Sequence, residues 1–67
     1  MNDRIENLKK DLVTQAGKLM SGSVYESGSD WLMIRNIPYI ARHALENIVL
    51  SHGLRLSYSG EDSAKIQ

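Results

Sequence analysis

The chain has 67 residues, no cysteine, and eight basic against eight acidic residues, so its net charge is zero. This composition excludes a disulfide-stapled scaffold and a thiolate metal site, and it argues against broad attraction to nucleic acid or anionic lipid. A domain of this size buries only about 60% of its unfolded surface, so we expect a thin core supplemented by a second copy. No apolar run approaches a membrane span and the amino terminus has no hydrophobic signal core, which predicts a cytoplasmic protein.

The first predicted element is an amphipathic helix over residues 3–21, with Gly22 marking its end. Its apolar stripe is narrow, which suits packing against one neighbouring helix, either in the same chain or in a partner. Both arrangements are open at this point. If the helix pairs with a second copy, the predicted dimer interface consists of Ile5, Leu8, Leu12 and Leu19.

A connector and a strand follow. The segment Gly22–Asp30 is rich in glycine and serine and predicts a connector with a short extended piece at residues 24–26. A nearly continuous apolar run over residues 31–35 predicts a buried strand, because Asn36 and Pro38 leave no room for a helix. Trp31 opens this strand and is interpreted as a core residue, with a stacking platform for a base or sugar as the alternative.

The central predicted element is a helix over residues 37–52, capped by Asn36 and closed by Gly53. Its predicted core face consists of Ile37, Ile40, Ala41, Ala44, Leu45, Ile48 and Val49. Period-two alternation over residues 54–59 then predicts a strand that turns Leu54, Leu56 and Tyr58 toward the core. Residues 61–67 are polar and weakly patterned, which predicts a flexible carboxyl-terminal tail.

These elements predict a single α+β domain over residues 1–60. The strands at residues 31–35 and 54–59 flank the central helix as a βαβ unit, so they should run parallel. Two or three strands are too few to stand alone. We therefore expect the first helix to cover the sheet and two copies to complete it as a homodimer.

Few residues of the sequence suggest catalysis or the binding of a metal or a phosphate. His43 and Glu46 share a helix face, but one histidine and one carboxylate do not make a metal site. His52 points to the other side and is expected to meet free carbonyls at the helix end. Ser51 points away from it, and no glycine-rich phosphate loop precedes a helix. We predict no enzyme activity, no cofactor and no metal.

The outer stripe of the central helix is more informative. An aromatic ring, an imidazole and a leucine stand there on an otherwise polar surface, as in the anchors of protein interfaces. The alternative is an ordinary surface, where isolated apolar residues are normal. The predicted partner-binding residues are Tyr39, Arg42, His43, Glu46 and Leu50.

These observations favour a non-enzymatic regulatory protein that acts through protein–protein interaction, as a homodimer. The alternative is a small nucleic-acid-binding regulator that uses Arg35, Arg42 and Arg55.

One resemblance concerns the segment Leu32–Tyr39. Its aliphatic strand followed by Asn36-Ile37-Pro38-Tyr39, a helix and another strand looks like the opening of an RNA-recognition-motif domain. In that family an aromatic residue that stacks on a base stands where this chain has Met33. The second, more diagnostic strand motif of the family is not found. The resemblance therefore assigns no stacking residue, and we interpret it as shared βαβ turn chemistry.

Overall fold

Two helices cover one face of a four-stranded antiparallel sheet, which confirms the predicted α+β class. The computed structural model describes residues 3–67. In chain order the elements are α1 (Asp3–Ala16), β1 (Val24–Ser27), β2 (Leu32–Arg35), a 3-10 turn (Tyr39–Ala41), α2 (Arg42–Ser51), β3 (Leu56–Tyr58) and β4 (Ala64–Ile66). The strand order in the sheet is β1-β2-β4-β3.

The strands β2 and β3 run in the same direction, as the βαβ pattern predicts, but they are not neighbours. Both pair antiparallel with β4, which lies between them. Ile34 and Tyr58 each pair with Ala64, from opposite sides. The chain therefore completes its own sheet, and a second copy is not needed for that purpose.

The prediction of a flexible tail over residues 61–67 is wrong. Ala64 and Ile66 are fully buried within β4, while Lys65 between them is exposed. Backbone hydrogen bonds link Arg55 and Gln67 in both directions, at 2.9 and 3.0 Å. The sequence signal was too short to recognise, because three residues show only one period of strand alternation and the flanking residues are polar.

The hydrophobic core lies between the helices and the covered face of the sheet. Its members are Ile5, Leu8, Leu12, Ala16, Met20, Leu32, Ile34, Ile37, Ala41, Leu45, Ile48, Val49, Leu54, Ala64 and Ile66. Each fully buried leucine in this set contributes about 1.5–3 kcal/mol relative to an exposed one.

The composition of the core contradicts most of the predicted dimer interface. Ile5, Leu8 and Leu12 are buried inside their own subunit and have no surface left for a partner, so the assignment is wrong for these three. α1 ends at Ala16 and not at Ser21, because Gly17 disfavours continuing the helix. Leu19 therefore lies in the following turn, where it stays 42% exposed.

The central helix begins later than predicted. Asn36 does not cap it; this residue adopts a left-handed conformation (φ 61°), which asparagine tolerates better than most residues. Pro38 is extended and leads into the 3-10 turn, and α2 starts at Arg42. The prediction that Ile40 belongs to the core is consequently wrong, because its side chain is 73% exposed.

The carboxyl end of α2 is as predicted. Gly53 has a positive φ of 71° and closes the helix. Its N–H donates to the carbonyl of Leu50 at 3.0 Å, and the N–H of Leu54 donates to that of Val49 at 3.2 Å. These two bonds form a Schellman motif, which satisfies carbonyls that the helix end would otherwise leave free. The motif directs the chain into the core at Leu54.

Candidate protein-binding surface

Four of the five predicted partner-binding residues lie together around one depression. Tyr39, Arg42, His43 and Glu46 line a depression of about 290 Å³, formed by the 3-10 turn and the first turns of α2. Leu50 lies further along the exposed side of α2 and is not part of the lining. We call these five residues together with Ile40 the helix-two surface.

Arg42 is held at the centre of this surface by two aromatic rings. Its guanidinium carbon lies 5.4 Å from the ring centroid of Tyr39 and 4.6 Å from that of Tyr58. Both distances are within the range of cation–π attraction. A terminal nitrogen of the guanidinium also donates to the backbone carbonyl of Glu61, in the turn between β3 and β4. The turn between β3 and β4 therefore helps to fix a side chain on α2.

Tyr58 was not predicted as a site residue, and it connects the helix-two surface to the edge of the sheet. Its hydroxyl donates to Oε2 of Glu46 at 2.7 Å. Burial, followed by the hydrogen bond and the charge of Glu46, raises the pKa of Tyr58 to about 12, although the positive charge of Arg42 opposes this. The hydroxyl is therefore protonated at neutral pH and remains a hydrogen-bond donor. Strand alternation placed Tyr58 correctly on the helix side but could not reveal its partner.

The rim of the helix-two surface is apolar and exposed. Tyr39 is 83% exposed and Leu50 is 66% exposed. Ile40, which sequence reasoning assigned to the core, adds a third exposed apolar side chain beside Tyr39. The sequence signal nearest to Ile40 is Pro38, which disfavours helical backbone at Ile37 and so argues against a regular helix from residue 37 onward.

Another depression, of about 460 Å³, lies along α1 and is larger. Its lining residues, from Glu6 to Thr14, all belong to one helix, so no second element forms an opposing wall. The depression on the helix-two surface contains an arginine that the β3–β4 hairpin holds through the ring of Tyr58 and the carbonyl of Glu61. We therefore regard the smaller depression as the candidate site.

The residues considered for catalysis are engaged elsewhere. The hydroxyl of Ser51 donates to the carbonyl of Ile48 at 2.7 Å, within its own helix. His52 does not meet the helix-end carbonyls as predicted. Its Nε2 lies 2.6 Å from Oδ2 of Asp11 and so joins α2 to α1. Ser51 and His52 thus do not form a nucleophile–base pair.

The three arginines of the nucleic-acid alternative are not brought together. Arg42 lies on the helix side of the sheet, held by Tyr39 and Tyr58. Arg35 on β2 and Arg55 directly before β3 alternate with inward-facing residues and lie on the open face. Arg35 forms an ion pair of 3.5 Å with Glu26. The three arginines therefore do not share one face of the sheet.

Comparison with family models, characterised proteins and solved structures gives no match for this chain. Across residues 3–67, no helix has the length and apolar character needed to cross a membrane. The same residues contain no group of three or more histidine, aspartate or glutamate side chains that could hold a metal ion.

Proposed function

We propose that this protein is a non-enzymatic binding protein of regulatory type, and that it binds another protein through the helix-two surface. The observation that carries the proposal is the position of Arg42. It is fixed between two tyrosine rings and a backbone carbonyl, and one of these rings, that of Tyr39, is itself exposed.

The residue types support a protein partner. Tyrosine and arginine are enriched among the few residues that dominate binding energy in protein interfaces, and they cluster at the centre of such interfaces. Arg42 is already ordered in the free protein, so less side-chain entropy is lost on binding. The exposed apolar rim of Tyr39, Ile40 and Leu50 supplies area that gains stability when water is removed from it.

The arrangement also indicates what the partner presents. Arg42 and His43, whose side chains carry nitrogen atoms, line the depression, while an oxygen of Glu46 is already engaged by Tyr58. A matching partner surface has an apolar side chain that covers Tyr39 and Ile40. Next to it we expect a carboxylate or carbonyl oxygen that accepts a hydrogen bond inside the depression.

The predicted homodimer stays a separate prediction, as does the cytoplasmic location. The proposed function does not depend on self-association, because one chain buries its own core and completes its own sheet. Light scattering on the purified protein distinguishes one copy from two. Leu19 is the one member of the predicted dimer interface that is still exposed, so Leu19→Ser should shift a dimer toward the monomer.

The test of the proposed function uses the double variant Tyr39→Ala/Leu50→Ala. A protein captured from extract by the wild type is identified by mass spectrometry, purified and titrated against each variant. We expect the double variant to bind about tenfold more weakly or worse, because it removes two exposed anchors and no core residue. The matched control is Val13→Ala, which removes a 65% exposed apolar side chain from α1 and should bind like the wild type.

Hydrogen exchange of the complex provides the second measurement. Partner binding should protect the amides of residues 39–50 and leave those of the exposed side of α1 unchanged. Unchanged affinity of the double variant, or protection confined to another surface, would overturn the proposal. A double variant that unfolds would also contradict it, since these side chains would then belong to the core.

A further inference from the structure

The open face of the sheet has its own composition, distinct from that of the helix-two surface. Opposite the buried residues, the strands β2 and β4 present Met33, Arg35 and Lys65. Met33 pairs with Lys65, and Lys65 pairs with Ser57 of β3, so these residues form one row across the sheet. No helix covers this row within the described part of the chain, and its side chains face outward.

Three of the eight basic residues of the chain lie on this face. Arg35, Lys65 and Arg55 are exposed there, and the acidic residue at a strand position of the same face is Glu26. The chain as a whole has no net charge. The neutral total therefore hides a local positive excess, which favours an anionic ligand on this side.

Trp31 provides a fixed aromatic surface at the end of the same face. It precedes the inward-facing Leu32, so strand alternation places it on the open side. The hairpin turn fixes its indole, because a Cβ added to Gly28 would lie only 2.1 Å from Nε1 of the ring. The Nζ of Lys65 lies 5.9 Å from the ring centroid, so a cation stands next to the aromatic ring. Trp31 is only half-buried and keeps surface for a ligand.

We propose that this open sheet face binds single-stranded nucleic acid. Trp31 stacks on one base, and Lys65, Arg55 and Arg35 contact the phosphates of the backbone. An aromatic ring next to a basic groove is the general arrangement for binding single strands without strict sequence preference. A base-paired duplex keeps its bases stacked on one another, so Trp31 would have no base to stack on.

The salt dependence follows from the number of cations. Each phosphate contact on a single strand contributes about −0.7 to the slope of the logarithm of affinity against the logarithm of salt concentration, so three contacts predict a slope of about −2. If Arg35 stays with Glu26 instead, two contacts remain and the slope falls to about −1.4. A weak, salt-sensitive complex is therefore expected.

Trp31 is the only tryptophan in the chain, so its fluorescence reports directly on this face. The probe is an oligothymidine of about 12 nucleotides, within the usual site size of single-strand binders. We expect saturable quenching at low salt, a slope between about −1.4 and −2, and weaker binding of the duplex of the same length. Polyphosphate of equal charge, which has no bases, should bind more weakly and quench less.

Variants localise the site. Lys65→Ala and Arg55→Ala should each weaken binding and reduce the salt slope by about 0.7. The matched control Lys10→Ala removes the same charge from the exposed side of α1 and should change neither the affinity nor the slope beyond a small nonspecific effect. The Tyr39→Ala/Leu50→Ala variant should retain oligothymidine binding, so failure of this site and of the proposed protein-binding function can be told apart.

The stacking step is tested with a labelled strand and fluorescence anisotropy. Trp31→Ala should lower the affinity by roughly 5- to 150-fold, whereas Trp31→Phe, which keeps an aromatic face, should lower it less. Gly28→Ala should also weaken binding, because the added methyl group displaces the indole. Absence of any complex at the lowest salt, equal effects of Lys65→Ala and Lys10→Ala, or equal binding of polyphosphate would overturn the proposal.

Discussion

The two faces of the sheet share the same strands but differ in what their side chains do. On β4, Ala64 and Ile66 are fully buried against the helices, whereas Lys65 between them is exposed on the open face. The helix-covered face contains the core and positions Tyr58 beside Arg42. The open face holds cations and Trp31 without contributing to the core. Neighbouring residues of one strand can thus be changed to affect either stability or binding.

Truncation after Gly60 is expected to have the largest effect. It removes β4, and with it the neighbour of both β2 and β3. It also removes Ala64 and Ile66 from a core of this size, so we expect the shortened chain to be unfolded by circular dichroism and by amide exchange. A chain that keeps its cooperative unfolding transition after truncation would restore the flexible-tail prediction for residues 61–67.

A comparison of Ile66 with Lys65 tests the difference between the faces directly. Ile66→Ala should lower the free energy of unfolding by about 2–5 kcal/mol because it leaves a cavity in the core, and Ile66→Val by about 0.5–1.5 kcal/mol. Lys65→Ala, one residue away on the exposed side, should change it by less than about 0.5 kcal/mol. Urea denaturation measures both changes. Equal losses at the two positions would contradict the assignment of the faces.

The difference between local and long-range contacts explains which parts of the fold could be predicted from the sequence. Periodicity identified both helices and the strands at β2 and β3, because each has several apolar residues in a regular pattern. The closing Gly53 was also predictable, since the motif depends on local backbone chemistry. β4 was missed because its pairing with β2 and β3 is a long-range property, and three residues carry too little pattern to indicate it.

The residues of the candidate site likewise fall into those that the sequence predicted and those that depend on tertiary contacts. Residues that share α2 or the turn before it were grouped correctly around one depression, because helical spacing alone places them together. Tyr58 and the carbonyl of Glu61 come from the β3–β4 hairpin, and their contacts with α2 depend on tertiary packing. Ile40 was misplaced because the 3-10 turn changes the angular position of its side chain relative to a regular helix.

Tyr58 provides the smallest and most local test, since it links the helix-covered face to the edge of the sheet. Its pKa in the folded protein is about 12, above the ordinary value of 10.0. Because the pKa is raised on folding, the stabilising contribution is complete below pH 10 and is lost as the pH rises from about 10 to about 12. Glu46→Gln removes the negative charge and should move the pKa of Tyr58 back toward 10, as measured by tyrosinate absorbance during an alkaline titration.

The control for this titration is Tyr58→Phe, which removes the titrating hydroxyl and leaves the ring beside Arg42. Its absorbance curve should lack the component that titrates near pH 12. Because Tyr58→Phe already removes the hydrogen bond to Glu46, adding Glu46→Gln should not lower its stability further through that bond. If Glu46→Gln leaves the titration of Tyr58 unchanged, burial alone raises its pKa. The contact between the hairpin and α2 would then depend on the stacking of Arg42 on Tyr58. In that case Arg42→Gln should weaken the packing of the β3–β4 hairpin on α2 more than Glu46→Gln does.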